Sequence, residues 1–395
     1  MSTTDTTGVS ATRQEDLELV RMASRELARR FDLAYWRDKD KKAEYPWEFT
    51  RAFADGGWLG TMIPEEYGGL GLGLAESAIM LSEVAWSGAG ASGASAIHFY
   101  IFPPGPIIRH GSEVMKREFL PKVAKGELLT AFGVTEPTAG VDTSRITTRA
   151  DKTDGGWVVN GQKVWITNAQ NAQKILLLAR TSPRLDERPL DGMTLFFTDL
   201  DRRRITVREI EKLGRSAVDS NELFIDNLEV SDAEVVGEVG KGFYYLLDGL
   251  NPERIVVGME QVGLGRAALD LAAKYANERV VFDRPIGKNQ AVAHPLADSW
   301  IRLEAAELMA MKGAALYDAH KPCGPEANAA KFLGSEAGFE ACDRAMQTFG
   351  GYSYAKEYHI ERLWRESRLL KIAPVSQEMV LNYISTKVLG LPKSY

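Results

Sequence analysis

The feature that most constrains this chain is a change of hydrophobic period that happens twice. From Glu15 to about Gly126 the apolar residues recur at helical spacing, as in "LELVRMASRELARRFDLAYW", with Gly and Pro marking connections such as "MIPEEYGGLGLG". Between about Leu128 and Asp232 they gather into short runs rich in Val, Ile, Thr and aromatics. "KILLLAR", "MTLFFTDL", "ITVREI" and "NELFIDNLEV" read as strands, and "GWVVNGQKVWITNA" as two strands joined by a tight turn at Asn160-Gly161. After "GEVGKGFYYLL" the helical period returns in "ERIVVGMEQVGLGRAALDLAAKYANERVVF", "AVAHPLADSWIRLEAAELMAMKGAALYDAH" and "NAAKFLGSEAGFEACDRAMQTFG". Such a chain is mainly α with a central β domain, and 395 residues suit two or three domains better than one core. The expected division is a disordered tail over 1–14, an N-terminal α-helical domain over 15–127, a middle β domain over 128–238 and a C-terminal α-helical bundle over 239–395.

Charge and cysteine usage remove several functions. The net charge is −6, and the densest basic stretch, "DRRRITVREIEKLGR", interleaves acids with its arginines, so no nucleic-acid partner is expected. Cys323 and Cys342 stand at no metal-ligand spacing to any of the five histidines, which indicates neither a disulfide framework nor a metal site. "MSTTDTTGVSATRQED" has no basic and apolar leader pattern, and no apolar run reaches the length of a membrane span. A soluble, cytoplasmic protein is expected.

Two stretches offer chemistry. The loop "AFGVTEPTAGVDTSR", residues 131–145, places Thr135, Thr138, Thr143 and Ser144 around Pro137 and Gly140, giving hydroxyls and backbone N–H groups that either shape a turn or meet a ligand's polar atoms. It is neither a Walker loop nor a GxGxxG turn, so a nicotinamide site is disfavoured. In "GLNPERIVVGMEQVGLG", Asn251 suits an N-cap, Pro252 the first helical position and Glu253 the first turn, where an acid complements the helix dipole. Glu253 then reads as a helix-start acid unless a reaction lacks a base. "WSGAGASGASAIHFY" reads as close helix packing, and its His98 as a satisfied core residue.

The ordered series "TEPTAGVD", "VWITNA", "ANERVVFDRPIGKNQ", "QTFGGYSY" and "IERLWRESRLLKI" resembles the acyl-CoA dehydrogenase family of flavoproteins, in matching order over nearly the whole chain. The resemblance implies an N-terminal α domain, a middle β-barrel-like domain and a C-terminal four-helix bundle. It implies FAD held between the β domain and the bundle, completed by a neighbouring subunit of a homotetramer or dimer. Carried over position by position, Phe132, Val134 and Thr135 would meet the flavin's polar edge, Trp165 would flank its rings, and Thr167 would reach the nitrogen that accepts hydride. Arg279, Phe282 and Gln290, with Gln347, Gly350 and Gly351, would hold the pyrophosphate and adenosine. Arg pairs bidentately with phosphate and Gly lets backbone approach, so the residue types suit the task.

The family's reaction takes the α-proton of an acyl-CoA with a carboxylate while the β-hydrogen passes to the flavin, giving a trans-2-enoyl-CoA, and the electrons leave to an electron-transfer flavoprotein. Many members carry that carboxylate in an "EGT" sequence; here the matching stretch is "KIAPVSQEM", with Pro374, Val375 and Ser376 at those places. Isovaleryl-CoA dehydrogenase and long-chain relatives place the base on a bundle helix instead, and "NPERIV" matches that position, which makes Glu253 the base. Asn251 and Arg254 then fall among the residues that contact substrate, Arg254 on the CoA moiety. Ser376 takes the place of a cofactor contact. Two further departures bear on substrate: Val141 stands where many relatives have a Ser that contacts CoA, and Ser95 is a candidate compensating contact. Pro374 brings no backbone N–H to the thioester oxygen. Two other readings keep the fold, namely a flavin-dependent oxidase or monooxygenase and a catalytically silent acyl-CoA- or flavin-binding subunit.

Overall fold

The computed structural model describes residues 11–393. Most of the tail expected over 1–14 lies outside the described residues, and from Ala11 the chain is already in helix α1 (Ala11–Ala28). There follow α2 (Leu33–Lys42), α3 (Trp47–Asp55), α4 (Leu74–Val84), α5 (Gly90–Ile101), α6 (Gly105–His110) and α7 (Glu113–Ala124). Side chains that favour helix starts begin two of them: Asp32 accepts from the Tyr35 N–H at 2.8 Å before α2, and Ser112 from the Met115 N–H at 3.2 Å before α7. Helices α4 and α5 are buried almost throughout. The small residues around α5 serve close packing: a Cβ at Gly90, whose φ is +62°, would come within 2.5 Å of the Glu366 Oε2.

The middle segment forms β1 (Thr130–Gly133), β2 (Arg149–Thr153), β3 (Gly156–Thr167), β4 (Lys174–Arg180), β5 (Met193–Asp199), β6 (Ile205–Glu209), β7 (Ser220–Ser231) and β8 (Val235–Val236). The sheet runs β6-β7-β3-β2-β4-β5-β8, with β1 added to β4 in parallel. The hairpin expected at Asn160-Gly161 is placed differently. Strand β3 passes straight through those residues, and the tight turn is Asp154-Gly155, because Thr153 pairs with Gly156. Asp-Gly tolerates positive φ as Asn-Gly does, and Gly155 has φ +80°. Asn160-Gly161 marks a register shift of β3 against β7, where Gly161 passes so close to Thr148 that a Cβ would lie 2.6 Å from its Cα.

Helix α8 (Gly242–Glu278) is 37 residues long and contains Pro252 in its interior. The expected helix start at Asn251 is therefore corrected: the preceding "GFYYLLDGL" is helical too, so Glu253 lies about three turns inside the helix, beyond the reach of a first-turn dipole effect. Pro252 leaves the Asp248 carbonyl without its intrahelical donor, a cost that packing along α8 overrides. Strands β9 (Val280–Val281) and β10 (Arg284–Pro285) close a two-residue hairpin at Phe282-Asp283, both with positive φ. Helices α9 (Gln290–Asp318) and α10 (Gly324–Phe349) complete the long members of the bundle. The short α11 (Ile360–Ser367) packs on α8 and α10, and α12 (Gln377–Tyr383) on α10. Backbone meets backbone where α8 crosses α10, since a Cβ at Gly334 would sit 2.4 Å from the Gly258 carbonyl oxygen. One continuous apolar core links the helical and strand segments, and no helix among the described residues is long and apolar enough to cross a membrane.

Candidate active site

Helix α8 turns one face, carrying Tyr245, Asp248, Gly249, Pro252, Glu253 and Val256, toward a cleft whose other wall is α5 and α6, with His98, Phe102 and Arg109. The cleft follows α8 for about 16 Å of helix rise. Phe102 lies beside Gly249 and also meets Phe132 of β1 edge-on, at 5.0 Å between ring centres. The far end is more polar: His110 Nε2 is 3.0 Å from Asp248 Oδ2, His110 stacks on Tyr245, and Arg109 donates to the Tyr317 hydroxyl. Phe132, carried over as a cofactor contact, thus backs the aromatic wall of the cleft.

Glu253 is half-buried as a residue and lines this cleft. Burial pushes its carboxyl up to about 7, against the pull of the His98 and Arg254 cations and with Glu260 adding to the push. Arg254 turns the other way. Its Nη1 donates to Asn251 Oδ1 at 3.0 Å, while its buried Nε has no partner. So Asn251 anchors the Arg254 guanidinium, whose buried Nε–H is left without a partner.

Two turns beyond Glu253, the buried Glu260 accepts or shares a proton with His98 Nδ1 at 2.8 Å. One turn before His98 on α5, the buried Ser95 Oγ accepts from Arg215 Nη1 at 3.1 Å. Arg215, on the connection between β6 and β7, also directs Nη2 at Thr167 Oγ1, 3.3 Å, and Ser220 Oγ, 3.4 Å. The structure therefore joins Glu253, Ser95 and Thr167 into one neighbourhood through His98, Glu260 and Arg215. Glu260 and Arg215 escaped the sequence reading. Glu260 sits in an apolar helical run and Arg215 in a turn whose left-handed backbone, φ +60°, carries no motif signal.

The "TEPTAG" loop is pinned from beneath. Glu136 is buried and accepts from Lys163 Nζ at 2.9 Å, the Thr147 N–H at 2.6 Å and the Thr148 N–H at 3.0 Å. Although burial alone would raise it, Lys163 and these donors hold its carboxyl down at about 2. Lys163 also donates to the Val134 carbonyl, and Val164 N–H to the Thr135 carbonyl, which fixes the backbone of Val134 and Thr135 while the Thr135 N–H and hydroxyl stay uncommitted. Two residues on, Trp165 is 60% exposed with φ +62°, at a second register shift of β3. Val141 is exposed on the neighbouring loop, apart from the Glu253 cleft.

The remaining predicted contacts gather at the other end of α8. Arg279 follows its last turn, with the guanidinium 5.7 Å from the Tyr352 ring centre, and shares a cleft with Tyr275, Thr348, Phe349 and Gly351. Phe282 is 93% exposed at the tip of the β9–β10 hairpin, Gln290 opens α9, and Gln347 and Gly350 close α10, all exposed. By helix rise Arg279 is about 28 Å from Glu260, so these groups stand apart from the Glu253 neighbourhood within one chain. Ser376 caps α12, its Oγ accepting from the Met379 N–H at 3.4 Å, and Pro374 before it is exposed.

Known proteins match from end to end. The models for the N-terminal, middle and C-terminal domains of acyl-CoA dehydrogenases match residues 14–127, 131–228 and 240–389. An acyl-CoA dehydrogenase of Mycobacterium bovis is 35% identical over 395 residues, covering 98% of this chain and 100% of its own. The glutaryl-coenzyme A dehydrogenase structure in complex with glutaryl-CoA has a TM-score of 0.90 at 30% identity, covering 96% of each chain. Butyryl-CoA dehydrogenase from Megasphaera elsdenii has a TM-score of 0.88 at 29% identity, covering 94% of this chain and 98% of its own.

Proposed function

The chain belongs to the acyl-CoA dehydrogenase family, and we propose that Glu253 is the base with which it takes the α-proton of an acyl-CoA. As a member it is a flavoprotein oxidoreductase that works with FAD. The side chains fit that cofactor. Trp165 and Phe282 are large apolar rings held outward on left-handed backbone, as surfaces that await a partner. Arg279 stands by the Tyr352 ring with no carboxylate partner among the described residues, which suits a phosphate contact, and a Cβ at Gly350 or Gly351 would meet nothing within 4 Å. Thr135, Trp165 and Thr167 would hold the flavin end; Arg279, Phe282, Gln290, Gln347, Gly350 and Gly351 would hold the phosphate and adenosine end. When bound, FAD supplies the acceptor for the hydrogen that leaves the β-carbon.

The separation along α8 supports a homotetramer or dimer in which the second set serves a neighbour's FAD. Within one chain, the acyl group would lie along the cleft between α8 and the α5–α6 wall, with its α-carbon against Glu253. A carboxylate in that apolar cleft is a stronger base than one in water, and the His98 and Arg254 cations keep part of it ionised near neutral pH. The unpartnered Arg254 Nε and the Asn251 amide are donors for the thioester or its CoA. The aromatic wall of Phe102, Phe132 and Tyr245 excludes water. The apolar lining suits the hydrocarbon part of an acyl-CoA, and the electrons would pass to an electron-transfer flavoprotein. Ser95 is spent on Arg215 and acts through it. Val141 and Ser376 flank the route to CoA and to the cofactor in this reading.

One observation carries the assignment: a carboxyl pushed up to about 7 in an apolar cleft, in a chain with Pro374 where a loop carboxylate would otherwise stand. Pro374 also motivates a second reading, a silent acyl-CoA-binding flavoprotein. Anaerobic mixing with straight and branched acyl-CoAs separates them. Bleaching of the flavin in the wild type, lost in Glu253→Gln with ligand binding retained, supports the base. Bleaching that survives in the variant overturns it, and tight binding without bleaching in the wild type favours the silent protein. Rapid oxygen uptake after bleaching would redirect the reaction to an oxidase.

A further inference from the structure

Most buried charge in this chain has a structural errand. Glu366 accepts from Ser92 Oγ and N–H and from Arg362, tying α11 to α5, and Glu136 pins the "TEPTAG" loop through Lys163. The pair His98–Glu260 differs from these. It joins α5 to α8, two helices that already pack against one another, and His98 lines the same cleft as Glu253. An ion pair gives little net stability there, because desolvating two charges offsets their attraction. Its position beside a carboxyl that must ionise gives it another use.

We propose that His98, kept protonated by the Glu260 carboxylate, is a positioning residue whose charge sets the ionisation of Glu253 and hence the pH range in which the base works. The inference rests on the reading of Glu253 as base. Farther along the same cleft stand Arg109 of α6 and Asp248 of α8, the latter 3.0 Å from His110, and the charged groups nearest these side chains are five. From α8 come Glu253, Arg254 and Glu260; from α5, His98; and from the β6–β7 connection, Arg215, whose guanidinium reaches Ser95 and Thr167. Burial pulls the His98 imidazole toward neutrality, but Glu260, by charge and by its 2.8 Å hydrogen bond, outweighs burial and raises it, Glu253 adds to the rise, and Arg215 opposes it. The resulting cation is the largest of the charges that draw Glu253 down, ahead of Arg254.

The charges predict a pattern that a packing role would not produce. In His98→Gln the cation is gone, so Glu253 ionises at higher pH. In Glu260→Gln the imidazole loses the partner that holds its proton, and the two charges vanish together. In the double variant both are gone as well. The assay is the rate of anaerobic flavin bleaching by a reactive acyl-CoA against pH, on holoprotein of checked FAD content. His98→Gln should move the acid limb up by about one pH unit or more, for unit charges in a half-polar medium, and slow bleaching at pH 7 roughly five-fold. Glu260→Gln and the double variant should move it in the same direction, since each removes the imidazolium. In the wild type, imidazole nitrogen shifts should show His98 still doubly protonated at pH 7.

An acid limb unchanged in His98→Gln overturns the proposal, as does a limb that Glu260→Gln leaves in place. A neutral His98 in the wild type at pH 7 overturns it even if no variant folds. Glu253→Gln run alongside separates the two levels. If that variant still bleaches, the base has been misassigned; if it is silent while His98→Gln keeps the wild-type limb, only the role of His98 fails.

Discussion

Replacing Glu253 with Gln should make the holoprotein inactive and, above neutral pH, more stable. A carboxyl that titrates at about 7 when folded, against an ordinary 4.5, binds its proton more tightly in the folded chain than in the unfolded one. Linkage then fixes the sign. Below about pH 4.5 both states are protonated and the carboxyl costs nothing; as pH rises to about 7 the unfolded state releases its proton first, and stability falls until the folded carboxyl ionises as well. The difference of about 2.5 in pKa, at 1.36 kcal/mol each, is ~3 kcal/mol. Because Glu253 is half-buried rather than enclosed, about half of that is the safer expectation. Gln keeps the shape and never ionises, so its advantage should be about a quarter of its full size at pH 5, where the unfolded carboxyl has largely ionised and the folded one has not, and full at pH 8. Thermal unfolding of wild type and Glu253→Gln holoprotein, at matched FAD occupancy, should give a gain for the variant of about 1 °C or less at pH 5 and of about 2–4 °C at pH 8. A Tm difference that does not change between the two pH values, or a variant less stable at pH 8, would refute the reasoning that Glu253 is a desolvated carboxyl held for chemistry.

Arg279→Ala should weaken FAD retention, read as flavin lost on gel filtration and dialysis; full occupancy in the variant would sink the assignment of Arg279 to the phosphates. Lys163→Met should strand the Glu136 carboxylate in a buried site and cost about 3–5 kcal/mol, seen as a lower urea midpoint with loss of flavin, whereas an unchanged midpoint would mean that the loop needs no pin. Arg215→Ala should free the hydroxyls of Ser95, Thr167 and Ser220 together, changing the absorbance spectrum of the bound flavin. An identical spectrum in that variant would place Thr167 away from the cofactor.

The architecture was legible because it rests on period. The switch from helical to alternating spacing near Leu128 and back after Asp232 brackets β1 to β7, and the strands read from "KILLLAR", "MTLFFTDL" and "ITVREI" are β4, β5 and β6. Local turn chemistry was less decisive. Asp154-Gly155 and Asn160-Gly161 carry nearly the same signal, and only the pairing of Thr153 with Gly156 decides which of them closes the hairpin. At Pro252 local propensity pointed to a helix start, and tertiary packing of the whole α8 overrode it. The site divides in the same manner. Glu253, Thr167 and Arg279 stand in motifs that lie contiguous in sequence, so a resemblance finds them. His98 and Glu260 are 162 residues apart, and Arg215 and Ser95 are 120 apart. Each looks unremarkable in its own stretch, and only the fold creates the pair.

In the proposed reading the base is carried on α8 rather than on a loop, and that changes what the rest of the site must do. A loop carboxylate can adjust to its substrate, but Glu253 rides on a helix whose next turns are locked against α10, backbone to backbone at Gly258 and Gly334. Its Cα is therefore fixed, and only its own rotamer can bring the carboxyl to the α-carbon. Two consequences follow from that rigidity. Discrimination among acyl chains falls to the opposite wall, where Ile101, Phe102, Pro106 and Arg109 meet the cleft. The ionisation of Glu253, which a mobile loop could tune by moving in and out of water, must be set by fixed neighbours instead. In this chain those neighbours are Arg254 and Glu260 on the same helix and His98, paired with Glu260, on α5 across from it. A fixed base needs fixed charges around it, and that is the physical reason a buried imidazole and a second carboxylate would be kept within the same apolar packing.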